Sequence, residues 1–424
     1  MVKLRTILQI LIAVAFAFIL SPIAFSQWKG TIEIWDFPAW SENGDNYAWI
    51  KRMMAEYTKK NPNVAFKLTE IPWQGGDQKL NLAVASKTWP DLTRGPLRAS
   101  FVEQGAIVDV TSYVNPRDYY DGAIRGATYK GRIYGFPFYM TTKVVIINKK
   151  IFKEKSVRVP TLDNPWTFEE FYNAAKTMTY ASKGSGKPDI FGFVASGMPP
   201  DNTHLWPFFL AHGGDLLDFE KDEVKPVLVS KENEEALNWL RKLFNDCAPP
   251  YMASYGDADA YTLFRSGKAA IYVTGTWAIP PLLDAGLEID VAPYPVKKPG
   301  DRLWSFGDVS SYQIFQQKDP EKLKILVDFA RTITSVQQQQ ELVKYGQFPT
   351  LKAVGNIYKN DPLMTKAAEI SKYNYVFPPH PLKDNIIETI SREIQLALLG
   401  KKAPAQALRD AESNVLKLLA TLKK

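Results

Sequence analysis

The chain has 424 residues, of which 46% are hydrophobic, so it can bury the cores of about two or three domains. Its formal net charge is +7, but lysine and arginine are spread along the chain without a run of five, which favours a solvated basic surface over nucleic-acid binding. Cys247 is the only cysteine, which excludes an intrachain disulfide and indicates a buried thiol.

The N-terminal segment has the pattern of a secretory signal. Lys3 and Arg5 precede the apolar run Ile7–Leu20, and the small-x-small sequence Ala24-Phe25-Ser26 follows it. We therefore predict that residues 1–26 are a cleaved signal peptide. The alternative is an uncleaved anchor, although the run is short for a spanning helix of about 20 residues. No cysteine follows the run, so we expect an exported periplasmic or extracellular protein without a lipid anchor.

The segment after the signal alternates between strand and helix patterns. Strands are predicted at Thr31–Asp36, Val64–Ile71 and Asp91–Thr93, and helices at Asn46–Lys60 and Gln78–Ser86. A β-α-β-α-β order is typical of a parallel, doubly wound sheet.

The middle of the chain contains further strand and helix patterns. Tyr129–Pro137 is typical of a hairpin with a Lys-Gly turn, and Tyr139–Asn148 is predicted as one strand. Trp166–Met178 is predicted as a helix with Thr167 as its N-cap. Lys183–Pro188 is predicted as a flexible loop. Further helices are predicted at Asn202–His212, Asn233–Asn245, Ala258–Phe264, Pro320–Ile333, Ser335–Tyr345 (where the glutamine run 337–340 should form a solvated face), Asp384–Leu399 and Pro404–Leu422.

Trp277 follows a short apolar strand. Ala269–Val273 is the strand, Thr274-Gly275-Thr276 is predicted as a turn, and Pro280-Pro281 should block immediate continuation of regular structure. Open α/β sheets bind ligands at the carboxyl ends of their strands, and an indole offers a flat apolar face and one N–H donor. Trp277 is therefore a candidate ligand-binding residue, with a core residue as the alternative.

Nine segments occur in an order that resembles family 1 of the bacterial extracellular solute-binding proteins, the maltose-binding-protein-like group. They are Gly30–Trp35, Trp89–Leu92, Gly105–Val110, Tyr129–Pro137, Ile146–Lys149, Trp166–Glu170, Leu205–Pro207 with Gly213-Gly214, Phe264–Ile271 and Gly275–Trp277. The resemblance covers residues 30–280, while the last third matches only in its pattern of elements.

The resemblance implies an α/β, two-lobed periplasmic-binding-protein-like fold of class II, in which each lobe is a doubly wound mixed sheet and hinge strands connect the lobes. The implied N-terminal lobe comprises residues 27–139 and 297–332, and the C-terminal lobe residues 140–296 and 333–424. The implied function is capture of an oligosaccharide or related sugar in the cleft between the lobes, which close by hinge bending, and delivery to the membrane permease of an ABC importer. The family needs no cofactor or metal, and we expect a monomer that does not bind nucleic acid.

The resemblance also implies a set of ligand-binding residues, each with a core or structural role as the alternative. Trp277 takes the position of the family's stacking tryptophan. The other candidates are Trp206, Asp36, Trp40, Arg98, Tyr139, Thr141, Trp304, Asp308 and Phe377, with Tyr375 beside the last.

Arg94 and Arg98 depart from the maltose-binding pattern, in which the corresponding loop is acidic and aromatic. Thr141 likewise replaces an acidic contact, so the identity of the ligand does not transfer. Because guanidinium groups bind carboxylates and phosphates as well as vicinal hydroxyls, a uronate or glycerol-phosphate-like solute is an alternative ligand. A secreted glycoside hydrolase is the rival enzyme class, but no carboxylate pair is indicated. The three histidines (His204, His212 and His380) lack metal-ligand spacing, and no nucleophile elbow occurs.

Overall fold

A computed structural model describes residues 28–40, 42–182, 186–220 and 223–423. The predicted signal peptide lies outside these residues, as does part of the predicted loop 183–188. The chain divides into two compact units. The smaller unit contains the described residues up to Arg94 together with Ile314–Ile333, and the larger unit contains Gly95–Gln313 and the residues from Thr334 onward. The lobe boundaries given above remain a prediction.

The described residues form the following helices and strands. The helices are α1 Ala48–Lys60, α2 Trp73–Ala85, α3 Ala99–Glu103, α4 Asp121–Gly126, α5 Lys149–Glu154, α6 Phe168–Thr177, α7 Trp206–Ala211, α8 Lys231–Cys247, α9 Asp257–Arg265, α10 Ile279–Asp284, α11 Pro320–Ile333, α12 Val336–Gln340, α13 Pro362–Ser371, α14 Lys383–Leu398 and α15 Pro404–Ala420. The strands are β1 Gly30–Asp36, β2 Val64–Glu70, β3 Leu92–Gly95, β4 Thr128–Tyr129, β5 Arg132–Ile133, β6 Phe136–Met140, β7 Lys143–Asn148, β8 Phe191–Ala195, β9 Leu217–Glu220, β10 Glu223–Pro226, β11 Ala269–Gly275, β12 Ile289–Ala292, β13 Ser305–Phe306, β14 Val309–Ile314, β15 Phe348–Pro349 and β16 Asn374–Tyr375.

The smaller unit has the predicted β-α-β-α-β order. Strand β1 is central and pairs in parallel with both β2 and β3. Ile32 and Ile34 of β1 are fully buried, and α1 buries Ile50, Met53 and Tyr57 along one face. Because the strands are parallel, their carboxyl ends meet at one edge, where Asp36 and Arg94 lie.

The larger unit contains a mixed sheet that positions Trp277. Its strand order is β12-β7-β11-β8, in which β7 is antiparallel to β11 and β12 while β11 is parallel to β8. Val144–Ile147 of β7 and Ala269–Val273 of β11 are buried, as their apolar sequence predicts. In a second set of strands, β6 pairs antiparallel with β14 and β15. The fold is α/β with mixed sheets, as predicted.

Several local predictions are confirmed. Lys130 and Gly131 have φ angles of 47° and 74° and connect β4 to β5, as the Lys-Gly hairpin requires. Thr167 caps α6 and forms a capping box with Glu170. Cys247 is buried.

Other local predictions are wrong. The single strand predicted at Tyr139–Asn148 is two strands, β6 and β7, separated by Thr141 and Thr142. The predicted turn at Thr274-Gly275 belongs to β11, and Pro280-Pro281 lie in α10, because a helix tolerates proline in its first turn.

The glutamine run is also not a solvated helix face throughout. Gln339 is fully buried, where its amide oxygen accepts from the backbone N–H of Thr350 at 2.8 Å and of Leu351 at 3.0 Å. Within the described ranges, no helix is both long enough and apolar enough to cross a membrane.

Candidate functional site

Trp277 lies immediately beyond the carboxyl end of β11, in a 3-10 turn formed by Thr276–Ala278, and is partly exposed. Lys143 lies at the start of β7, directly opposite Gly275 in the sheet register. Its Nζ is 3.9 Å from the centre of the Trp277 ring, which is the geometry of a cation–π interaction. The His204 ring centre lies 5.8 Å from that of Trp277. An aromatic ring, an ammonium group and an imidazole are thus gathered at one strand end.

Asp257, the first residue of α9, connects this group to the strand. Its Oδ1 accepts from the Tyr272 hydroxyl at 2.8 Å and from the Thr274 hydroxyl at 3.0 Å, and hydrogen bonding with Trp277 is among the effects that lower its pKa. His204 Nδ1 is 3.7 Å from the same oxygen. The carboxylate therefore contacts both the end of β11 and His204, which lies beside Trp277.

Burial shifts the pKa values of Asp257, Asp201, Lys143 and His204. Burial raises the pKa of Asp257 above its ordinary value although its donors and Lys143 act in the opposite direction, and burial together with the Asp257 charge raises the pKa of Asp201. Burial lowers the pKa of Lys143 against the effect of nearby carboxylates, and burial and the Lys143 charge lower the pKa of His204. At neutral pH His204 is therefore a neutral imidazole.

Thr141 and Asp308 form a second polar group beside the start of β7. The Thr141 N–H donates to the Asp308 carbonyl at 2.9 Å, and the Asp308 N–H donates to the Thr141 hydroxyl at 3.1 Å. Lys383 Nζ forms an ion pair with the Asp308 carboxylate at 3.0 Å. Asn374 donates to the Thr141 carbonyl at 3.3 Å and to the Thr142 hydroxyl at 3.0 Å. Both predicted residues are partly exposed and lie in one hydrogen-bonded group, and Thr141 lies two residues before Lys143.

Two of the other aromatic candidates are core residues. Trp206 and Phe377 are each 1% exposed. Trp206 packs edge-to-face on Phe306 at 5.7 Å, and its indole N–H has no hydrogen-bond acceptor within the described part of the chain. Phe306 in turn stacks on the partly exposed Tyr375 at 6.2 Å, and Phe377 packs on Phe219 at 5.0 Å. These rings form a buried aromatic layer, and a direct ligand contact for Trp206 or Phe377 remains a prediction.

Tyr139, Arg98 and Trp304 are the remaining candidates of the larger unit. Tyr139 is buried in β6, where it is paired with Ser310 of β14. Arg98 is buried, and its backbone N–H donates to Gln313 at 3.2 Å. Trp304 is partly exposed, with the Arg302 guanidinium 4.2 Å from its ring centre. No contact described here joins these three residues to Trp277.

In the smaller unit, Asp36 and Arg94 form a buried ion pair. Arg94 Nε donates to Asp36 Oδ1 at 3.0 Å, and another guanidinium nitrogen of Arg94 donates to the Phe37 carbonyl at 2.7 Å. Both side chains are almost completely buried. Trp40 is also buried, edge-to-face on Trp49 at 5.4 Å. The guanidinium of Arg94 therefore supports the end of β1, and its contact with a charged ligand remains a prediction.

The smaller unit also presents an exposed indole that the sequence analysis did not single out. Trp73, the first residue of α2, is 49% exposed and stacks on the buried Phe37 with ring centres 4.4 Å apart and planes at 17°. Its Nε1–H donates to the Pro38 carbonyl at 2.9 Å. The ring is thus fixed on one side by Phe37 and at its N–H by the backbone, and it lies just after the carboxyl end of β2.

The sequence analysis also missed Lys143, Asp257 and Lys383. For Lys143 a signal was available, because it is the single lysine in the apolar segment from Tyr139 to Asn148. A charged residue in a buried strand needs a compensating partner. Across the described residues, no group of three His, Cys, Asp or Glu side chains is arranged to hold a metal ion.

Comparison with known proteins identifies relatives of this chain. The family model described as bacterial extracellular solute-binding protein matches residues 52–366. A galactooligosaccharide-binding protein of Bacillus subtilis is 25% identical over 378 residues, which are 85% of this chain and 84% of that protein. A maltotriose-binding protein of Pyrococcus abyssi is 25% identical over 345 residues, which are 78% of this chain and 70% of that protein.

The fold is also that of solved structures. An ABC substrate-binding protein of Listeria monocytogenes in complex with cycloalternan superposes with a TM-score of 0.79 at 22% identity, covering 93% of this chain and 100% of that one. At this level of identity the likeness establishes the fold.

Proposed function

Because this chain belongs to the bacterial extracellular solute-binding protein family, we propose that it captures an oligosaccharide or related sugar and delivers it to the permease of an ABC importer. Three relatives support the sugar assignment: two are named for galactooligosaccharide and maltotriose binding, and a solved one holds cycloalternan. The proposal includes export by the N-terminal segment, action as a monomer and release of the ligand chemically unchanged.

The observation that carries this proposal is the partly exposed Trp277 ring, bordered by polar groups. A sugar has apolar C–H faces and a rim of hydroxyls, so an aromatic ring covers a face while charged and hydroxylated side chains satisfy the rim. Asp308 and Thr141 are the polar groups nearest to this role, since they lie beside the start of β7, whose first residue, Lys143, contacts the Trp277 ring. A buried hydroxyl left unpaired costs roughly 1–3 kcal/mol, which is how such a site would reject a wrong epimer.

Trp73 is a second candidate platform, proposed for the smaller unit. Its exposed ring is held by Phe37 and the Pro38 carbonyl, so little conformational entropy remains to be lost when a sugar stacks on it. It also lies beyond the carboxyl ends of parallel strands, where open α/β sheets bind their ligands. Trp73→Ala should weaken sugar binding without a large loss of stability, because half of the side chain is already exposed.

A thermal-shift panel tests the proposed function directly. The purified mature protein is heated with maltotriose, a galactooligosaccharide, galacturonate and glycerol phosphate in separate samples. A neutral oligosaccharide at 100 times its Kd should stabilise the protein by about 2.7 kcal/mol. A shift with galacturonate or glycerol phosphate alone would instead favour a charged solute. Stabilisation by none of the four compounds would count against the sugar assignment.

The charged-solute alternative is suggested by Arg94 and Arg98. Arg94 is fully buried and donates to Asp36 and to the Phe37 carbonyl, so its substitution would also disturb the fold. The test of this alternative therefore uses Arg98. Salt-sensitive binding that disappears in Arg98→Ala would support it, whereas unchanged binding in that variant would remove it.

The hydrolase alternative has its own test. Incubation of the protein with maltotriose, followed by chromatography of the sugars, should return maltotriose alone. Sustained release of shorter sugars would show an enzyme and would contradict the proposal.

A further inference from the structure

Lys143 is a buried charge that the proposed function does not by itself explain. Its side chain extends from the first residue of β7 and is 7% exposed. Within the described ranges, no carboxylate or other acceptor makes a hydrogen bond or ion pair with its ammonium group; the contact it makes is with the face of Trp277, at 3.9 Å from the ring centre. A buried ammonium is costly unless something compensates it, so the indole face is a specific partner of this lysine.

Asp257 acts on the same ring from another element. Its carboxylate is held by the Tyr272 and Thr274 hydroxyls at 2.8 and 3.0 Å, so it is fixed relative to β11. Hydrogen bonding with the Trp277 side chain is among the effects that lower the pKa of Asp257, and the indole N–H is the one donor of that side chain. The carboxylate that interacts with Trp277 is therefore itself fixed by the strand.

Gly275 completes the enclosure of the ring. A Cβ atom at this position would lie 1.8 Å from a ring carbon of Trp277, so the ring is packed directly against the backbone of β11. The ring thus has the strand backbone, an ammonium group and a carboxylate as neighbours, which come from β11, β7 and α9. Three separate elements restrict one side chain.

We propose that Lys143 and Asp257 are positioning residues that hold the Trp277 indole in one orientation before a ligand binds. This inference rests on the proposed function, because it assigns the fixed ring to ligand stacking. A side chain that is already ordered loses little entropy on binding, so a fixed indole gives higher affinity than a mobile one with the same contacts. Lys143 and Asp257 act through Trp277, and no direct ligand contact is assigned to either.

The orientation of the ring can be measured without any ligand. In the full mature protein labelled with 15N-tryptophan, the indole N–H resonance of Trp277 is identified by its absence in Trp277→Phe. We expect this resonance to move and broaden in Asp257→Ala and in Lys143→Met, because the acceptor or the cation is removed. Asp257→Asn keeps one acceptor oxygen, so it should give a smaller change, and it serves if Asp257→Ala does not fold.

Matched controls separate positioning from a general loss of charge. Asp246→Asn is the control for Asp257, because the Asp246 carboxylate also accepts from a tyrosine hydroxyl, that of Tyr172. Lys366→Met is the control for Lys143 and removes a lysine that pairs with Asp290. Neither control residue contacts Trp277 in the described structure, so both should leave its resonance unchanged.

Calorimetric titration with maltotriose gives the functional readout. We expect Lys143→Met and Asp257→Asn to weaken binding roughly two- to tenfold, the change that corresponds to ordering one side chain. The titrations are run well below the melting temperature of each variant, so weaker binding in Lys143→Met cannot come from unfolding. Lys143→Arg keeps a cation and should retain most of the affinity.

The results distinguish this inference from the proposed function. If wild type fails to bind the sugar, the proposed function fails, while the Trp277 resonance still decides whether the ring is positioned. An unchanged resonance in both Lys143→Met and Asp257→Ala would overturn the inference even if the sugar binds. A shifted resonance with unchanged affinity would also overturn it, because orientation would then have no effect on binding.

Discussion

Gly275 is the position at which a single methyl group should displace the Trp277 ring. Its φ and ψ are −94° and 162°, which alanine adopts without strain. The effect of Gly275→Ala is therefore steric alone. The added Cβ would meet three ring carbons of Trp277 at 1.8, 2.1 and 2.1 Å, which is closer than non-bonded carbon atoms can approach. The ring must move away, and it would leave Lys143 and Asp257 as it does so.

The size of the effect follows from this overlap. Forcing an extra carbon into a packed site costs about 1–3 kcal/mol. We expect Gly275→Ala to lower the free energy of unfolding by this amount and to weaken sugar binding by about tenfold or more, because the stacking ring is no longer in place. Urea unfolding followed by circular dichroism and calorimetric titration measure the two effects.

Two comparisons make the test specific. Gly122→Ala is the matched control, since a Cβ there meets no atom within 4 Å and the residue lies inside α4. Alanine is favoured over glycine in a helix by about 0.5–1 kcal/mol, so this variant should be as stable as wild type or slightly more so. In a Trp277→Ala background the clash is absent, so Gly275→Ala should cost little. Equal destabilisation by Gly275→Ala in both backgrounds would show that overlap with the Trp277 ring is not the cause.

Three further predictions concern stability and reactivity. Arg94→Met removes the cation of the buried ion pair with Asp36 and should lower the free energy of unfolding in urea by about 3–5 kcal/mol. Lys372→Met breaks an exposed ion pair and should lower it by less than about 1 kcal/mol. Similar costs in the two variants would contradict the assignment of a buried pair. Thr167→Ala removes the capping box of α6 and should cost about 1 kcal/mol by the same measurement, while no loss would show that the cap does not stabilise the helix. Burial raises the pKa of the Cys247 thiol to about 12. A thiol reagent at pH 8 should therefore label the native protein far more slowly than the urea-unfolded chain. Rapid labelling of the native protein would show that the thiol is accessible.

Much of the fold could be predicted because local sequence patterns determine it. The parallel β-α-β-α-β opening follows from alternating hydrophobic periods, and the Lys130-Gly131 turn and the Thr167 cap follow from residue types that those positions require. The break between β6 and β7 could not be predicted in this way, since neither glycine nor proline marks Thr141 and Thr142. The burial of Gln339 depends on Thr350 and Leu351, whose backbone groups reach it only in the folded chain.

The candidate site was predicted only in part for the same reason. Trp277 follows a strand end that is visible in the sequence, and Thr141 and Asp308 were chosen by resemblance and prove to be hydrogen-bonded to each other. Lys143 and Asp257 act on Trp277 from other elements, and a sequence gives no local sign of such a contact. Residue type alone also does not separate a buried indole such as Trp206 from an exposed one such as Trp73.

The affinity of Trp277→Ala for a carbohydrate shows whether the Trp277 ring is part of the ligand site. The ligand is the oligosaccharide that stabilises wild type most in the thermal-shift panel, and the control is Trp89→Ala, a partly exposed tryptophan whose ring stacks on Phe315. We predict that Trp277→Ala weakens binding at least about tenfold, equivalent to about 1.4 kcal/mol, while Trp89→Ala changes the Kd less than about twofold. Wild-type affinity in Trp277→Ala would contradict the account.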